Sequence, residues 1–98
     1  MIMQKALFIT YNEALHTQVI EQIELALLRG YTNFGQVVGV GSKDGEPHLG
    51  SHAWPTMNTA TIVIADQEKA TELKKRLELL DADNPALGLR VFTWTVDE

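Results

Sequence analysis

The residues best able to do chemistry lie in one segment, Gly39 to Pro55, which reads Gly-Val-Gly-Ser-Lys-Asp-Gly-Glu-Pro-His-Leu-Gly-Ser-His-Ala-Trp-Pro. Three chemistries compete for it. Glycines let backbone N–H groups approach an anion, and Lys43 adds a positive charge, so the segment could cradle a phosphate. These glycines leave a strand and enter a loop, unlike the phosphate loop of nucleotide hydrolases, where Gly-Lys-Ser/Thr opens a helix. A loop that needs glycine for positive φ is the plainer account of the same pattern. His48 and His52, with Asp44 or Glu46, offer imidazole and carboxylate ligands for a divalent metal. Two histidines do not close such a site, and a subunit interface would have to add a ligand such as His16. Ser42 or Ser51 with a loop histidine could be drawn as nucleophile and base. No third group on a rigid element orients that base, and no nucleophile elbow is present. Trp54 beside Pro55 either anchors the loop through its large apolar ring or stacks on a flat ligand.

The elements that must position this segment follow from periodicity and punctuation. Lys5 to Tyr11 alternates as a strand, with Leu7, Ile9 and Tyr11 on one face and Ala6, Phe8 and Thr10 on the other. Asn12 caps a helix predicted over Glu13 to Arg29, with Leu15, Val19, Ile23, Ala26 and Leu27 at helical spacing and Gly30 as the stop. Thr32 to Val40 is a second strand, in which Gly35 marks a bulge or a close backbone approach. The glycine-rich segment has neither helical nor strand period and reads as a long loop, a kind usually functional or disordered. Asn58 to Ala65 is a third strand, with Ala60, Ile62 and Ile64 opposite Thr59, Thr61 and Val63. Asp66 caps a second helix carrying Ala70, Leu73, Leu77 and Leu80. Asp81 to Gly88 reads as a polar loop around Pro85, and Leu89 to Val96 as the last strand.

The order βαββαβ is the split-βαβ, ferredoxin-like pattern, an α+β fold with a four-stranded antiparallel sheet and two helices on one face. The whole chain, 1–98, reads as a single domain. With the helices on one side, the other face of the sheet should be polar in a monomer. It is not: the first strand is apolar on both faces, the last sets Phe92, Trp94 and Val96 opposite Leu89 and Val91, and Val63 lies opposite Ile62 and Ile64. A face of that kind marks an interaction surface, covered by a second copy or by the folded-back loop.

Bulk composition narrows the function classes. The 98 residues include 13 acidic and 8 basic side chains and no cysteine. Thiolate metal sites, disulfides and cysteine catalysis are thereby excluded. A net charge of -5 disfavours nucleic acid, and the one basic cluster, Lys74-Lys75-Arg76, alternates with Glu72 and Glu78 on a helix. No apolar run approaches the roughly 20 residues that span a bilayer. The expectation is a cytoplasmic protein without membrane insertion.

Gly30-Tyr-Thr32 followed by Val38-Gly39-Val40-Gly41-Ser-Lys-Asp-Gly45 resembles the second strand and loop start of the PII signalling proteins. Gly88-Leu-Arg90-Val-Phe92 looks like the short glycine-and-basic segment before that family's last strand. The His-Leu-Gly-Ser-His-Ala-Trp-Pro stretch is similar to that of short PII-like proteins. Topology matches over nearly the whole chain, and motif only over these short stretches. The resemblance implies a non-enzymatic sensor of nitrogen-regulatory type, a homotrimer whose sheets face a central axis. It implies a cleft between subunits that binds adenine nucleotides, with Thr32, Gly39, Gly41, Gly88 and Arg90 at or near the binding positions and Lys43 as a substitute loop cation. A regulated partner protein would meet the 41–57 loop. The family's modified loop tyrosine has no counterpart, since the tyrosines are Tyr11 and Tyr31. CutA-type proteins share the trimeric architecture and bind divalent metal, so the alternative is a metal-binding trimer using His48 and His52.

Overall fold

The computed structural model describes residues 3–40, 47–48 and 57–97. Its strands in chain order are β1 (Gln4–Asn12), β2 (Thr32–Val37), β3 (Gly39–Val40), β4 (Pro47–His48), β5 (Asn58–Asp66) and β6 (Arg90–Val96). Four of them form one antiparallel sheet in the order β2-β5-β1-β6. Helices α1 (His16–Leu25) and α2 (Gln67–Asp83) fill the two crossovers. This is the ferredoxin-like arrangement expected from the element order.

Strand pairing sorts the side chains onto two faces, because directly opposed residues of an antiparallel pair point the same way. Leu7 faces Val63, and Ile9 faces Thr61 and Val91. Leu7, Ile9 and Val63 form a fully buried core with Val19 and Ile23 of α1 and Leu73 and Leu77 of α2. Both helices therefore cover this face.

The helix starts fall where the sequence puts them. Asn12 Oδ1 accepts the Ala14 N–H at 2.8 Å, and Asp66 Oδ1 accepts the Lys69 N–H at 2.9 Å. Each side chain satisfies a backbone donor that a helix N-terminus otherwise leaves open. The ends depart from expectation. The first helix opens with a 3-10 turn, Glu13–Leu15, and α1 stops at Leu25 rather than Arg29. Leu27 takes the left-handed conformation (φ 64°), with Leu27 N–H bonded to Glu24 O and Leu28 N–H to Ile23 O. That pair of bonds is the Schellman termination, here made with leucine in the place glycine usually holds. Gly30 comes too late to be the stop. The second helix continues through Asp83, and the remainder of the expected 81–88 loop is a 3-10 turn, Pro85–Leu87, closed by Gly88 at φ 64°.

The second strand also differs. It runs to Val37 in the main sheet, and β3 pairs instead with β4 as a separate two-stranded ladder. The segment read as structureless loop thus carries a short ladder at its base. The bulge expected at Gly35 is present: register shifts between Asn33 and Gln36, and Gly35 sits at φ 75°.

Candidate functional site

β1 runs toward the end of the sheet where both neighbours have their loops. At that end, β2 hands the chain to β3, and β6 begins. Glu13, in the 3-10 turn, holds both stems of the glycine-rich segment. Its backbone N–H bonds to Met57 O at 2.9 Å, and its Oε2 accepts Gln36 Nε2 at 2.9 Å. The root of the loop is therefore tied to the start of the first helix from both sides.

Beneath this root lies a polar network on the helix-covered face. Asn33 Oδ1 accepts the Gly35 N–H at 2.9 Å. Its Nδ2 donates to Thr59 Oγ1 and Thr61 Oγ1, each at 2.9 Å, and to Ala60 O at 3.2 Å. Thr59 Oγ1 in turn donates to Gly35 O at 2.7 Å. Tyr11 Oη lies 2.8 Å from Thr61 Oγ1 and 2.8 Å from His16 Nδ1, and the Tyr11 and His16 rings are near parallel with centroids 6.0 Å apart. Tyr11 and Thr61 are fully buried. Burial raises the Tyr11 phenol above its ordinary value of 10.0; neighbouring Tyr31 acts the same way, while hydrogen bonds with Thr61 and Asn33 pull it back. Such a set of satisfied polar groups in a core specifies geometry, because any unpaired member is costly at low dielectric.

The residues singled out from sequence divide between the sheet's two edges. Thr32 stands on β2 opposite Ile62, and Gly39 begins β3 just beyond. Gly88 and Arg90 stand at the start of β6, with Arg90 opposite Thr10. Within one chain β5 and β1 separate the two groups. The loop root and the start of β6 nevertheless share one end of the sheet: Val37 pairs with Asn58, and Arg90 with Thr10. His48 has its backbone in the ladder opposite Gly39. Gly41, Lys43, Asp44, Glu46, His52 and Trp54 lie outside the described residues. Among the described residues no cluster of three metal-ligating side chains exists. His16, offered as a supplementary metal ligand, has Nδ1 engaged by Tyr11. The polar network went unread in the sequence. Its one visible trace was Thr59 and Thr61 alternating on the face that otherwise carries core residues.

The uncovered face is apolar; Phe92 and Trp94 stand on it as expected, and Ile64 joins them while Val63 goes to the core. Phe34 (55% exposed), Ile64 (51%), Phe92 (55%) and Trp94 (48%) lie there together, and Phe8 meets Phe34 at a centroid distance of 6.2 Å. No helix among the described residues is long and apolar enough to cross a membrane.

No protein-family profile matches the chain, and no curated protein is a significant match. Solved structures do match. CPII, a nitrogen regulatory PII-like protein from Thiomonas intermedia K12 bound to ADP, AMP and bicarbonate, superposes with TM-score 0.74 at 18% identity, over 98% of this chain and 90% of that one. A PII-like signaling protein from Thermus thermophilus gives 0.69 at 19% identity, over 97% and 88%. A de novo designed protein gives 0.56 at 12% identity, over 96% and 99%. The designed neighbour is a reminder that a fold alone assigns no function. What the sheet order, the bulged edge strand and these superpositions establish together is that this chain has the fold of the PII-like signalling proteins.

Proposed function

We propose that the chain is a PII-like, non-enzymatic sensor that works as a homotrimer and binds a small ligand between subunits at the root of the glycine-rich loop. One observation carries this reading. Gly39 follows the end of the β2 edge strand, and Gly88 and Arg90 open the strand at the other edge, at the same end of the sheet; Thr32 stands farther back on β2, opposite Ile62. A single chain does not join them. A head-to-tail ring, in which the β6 edge of one copy meets the β2 edge of the next, brings them into one cleft, and such a contact closes when the rotation per subunit divides the circle. The apolar face supplies the association energy.

In that cleft Arg90 and Lys43 would meet phosphate oxygens, and Gly39, Gly41 and Gly88 would let backbone N–H groups come close. An adenine nucleotide is the ligand class that suits such a site, and CPII has been observed with ADP and AMP. The protein would act in the cytoplasm, and ordering of residues 41–57 on binding would present the loop to a regulated partner. Nucleic acid and membrane have no part in this reading. Isothermal titration with ATP, ADP and AMP tests it, with light scattering for the mass of the assembly. Heat with at least one nucleotide, abolished by Arg90→Ala, is the expected result. No heat and no thermal shift with any of the three would remove nucleotide sensing.

A second reading, a divalent-metal trimer, draws on the β3–β4 ladder, which fixes the backbone of His48 opposite Gly39. His48 and His52 would be its ligands. Titration with copper, zinc or nickel addresses it, and binding unchanged by His48→Ala together with His52→Ala would dismiss it.

A further inference from the structure

The hydrogens of the polar network run in one direction. The Asn33 amide is oriented by the Gly35 N–H, which needs Oδ1 as its acceptor. Asn33 Nδ2 therefore donates to Thr61 Oγ1. The Thr61 hydroxyl is fully buried, and its other partner among the described residues is Tyr11 Oη. Thr61 must then donate to Tyr11, because a buried hydroxyl hydrogen without an acceptor is strongly disfavoured. With its oxygen accepting from Thr61, Tyr11 donates onward to His16 Nδ1. Nδ1 is thus an acceptor, and the ring hydrogen of neutral His16 resides on Nε2.

His16 lines two adjoining clefts beside the loop root. One, of about 260 Å³, is also lined by Glu13, Asn33, Gly35, Gln36 and Thr59. The other, of about 440 Å³, adds Ile20, Glu21, Glu24 and Tyr31. With Nδ1 engaged, Nε2–H is the hydrogen-bonding group the ring can offer a ligand. Glu13 lines the smaller of these clefts as well, with one carboxylate oxygen held by Gln36. A donor and an acceptor lining one cleft match a carboxamide, whose C=O takes the first and whose NH2 serves the second. Glu13, Glu21 and Glu24 line these clefts without a lysine or arginine, which disfavours carboxylates. An ammonium group cannot accept the Nε2 hydrogen. Ile20 and the half-exposed Tyr31 give a flat apolar group somewhere to rest.

We propose that these clefts form a recognition site for a small neutral carboxamide carrying a flat ring, and that Asn33 relays its occupancy to the Gly35 bulge at the loop root. The site is distinct from the proposed nucleotide cleft and does not rest on it. Asn33 is a positioning residue: it reaches His16 through Thr61 and Tyr11, and reaches the bulge directly.

The experiment is a nuclear magnetic resonance titration of the isotope-labelled protein with benzamide, benzoate and benzylammonium. The free protein should show the His16 hydrogen on Nε2; a hydrogen on Nδ1 would overturn the proposal. Benzamide should shift the His16 ring nitrogens and the Gly35 amide together and saturably. Benzoate and benzylammonium should bind at least about tenfold more weakly, a difference of about 1.4 kcal/mol. Equal binding of all three, or no response to benzamide, would reject the site. In Tyr11→Phe, which cuts the chain between His16 and Asn33 at a residue lining neither cleft, the Gly35 response should fall relative to the His16 response; an undiminished Gly35 response would reject the relay. His16→Phe, which leaves the Asn33 contacts in place, should lose the benzamide response, and binding that persisted in it would count against the site even if Tyr11→Phe did not fold.

Discussion

The sheet has two faces with similar apolar content and opposite fates. On one, Leu7, Ile9 and Val63 are sealed under Leu73, Leu77, Val19 and Ile23. On the other, Ile64, Phe92, Trp94 and Phe34 remain about half exposed in the single chain. The covered face also carries the polar network, while the uncovered face is apolar over most of its area. The difference separates two jobs. The covered face makes the chain fold and fixes the loop root; the uncovered face is the one the proposed assembly would bury, since a monomer gains nothing from displaying it to water.

The largest effect that tests this contrast is on the covered side. Leu73→Ala, which empties a fully buried position, should lower unfolding stability by about 2–5 kcal/mol in urea melts. A loss no larger than that from a half-exposed position would break the comparison. Next comes the open face. Trp94→Glu should leave a folded chain by circular dichroism yet weaken association by about 2 kcal/mol or more, seen in light scattering as a shift toward single-chain mass. An unchanged mass would mean that this face is not the interface. Within the covered face, Tyr11→Phe should cost about 1–3 kcal/mol, because it strands the Thr61 hydroxyl. It should also change the alkaline limb. The folded phenol is raised above 10.0, so the folded state holds its proton longer than the unfolded state does. That contribution is complete below pH 10.0 and is lost as pH rises through the raised value, a loss the variant should no longer show. The smallest effect belongs to Phe34→Ala, which removes the Phe8–Phe34 ring pair. It should cost the isolated subunit about 1 kcal/mol, read as a modest fall in thermal midpoint. A larger cost would show that the open face already stabilises the single chain.

Much of this was legible in the residues. Asn12 and Asp66 announced the helix starts because capping is local, decided by a side chain within three positions of the donor it serves. Gly35 announced the bulge for a similar reason: the backbone there needs positive φ. The end of α1 was not legible. Leu27 adopts the left-handed conformation that the sequence assigns to a glycine, and Gly30 drew the expected boundary too far along. The 3-10 turn at Pro85–Leu87 and the β3–β4 ladder were missed because segments so short carry no period to detect.

The order of elements, the two-faced apolar pattern and the glycine-rich segment were written in the residues alone, since all three are properties of neighbours along the chain. Which distant residues meet came from folding in three dimensions. Asn33 reaches Thr59 and Thr61 across more than twenty positions, and Tyr11 reaches Thr61 across fifty. The placement of Val37 and Arg90 at opposite edges of one sheet end is of the same kind. Strand order and register create these contacts, and both are set by packing the whole core rather than by any local preference.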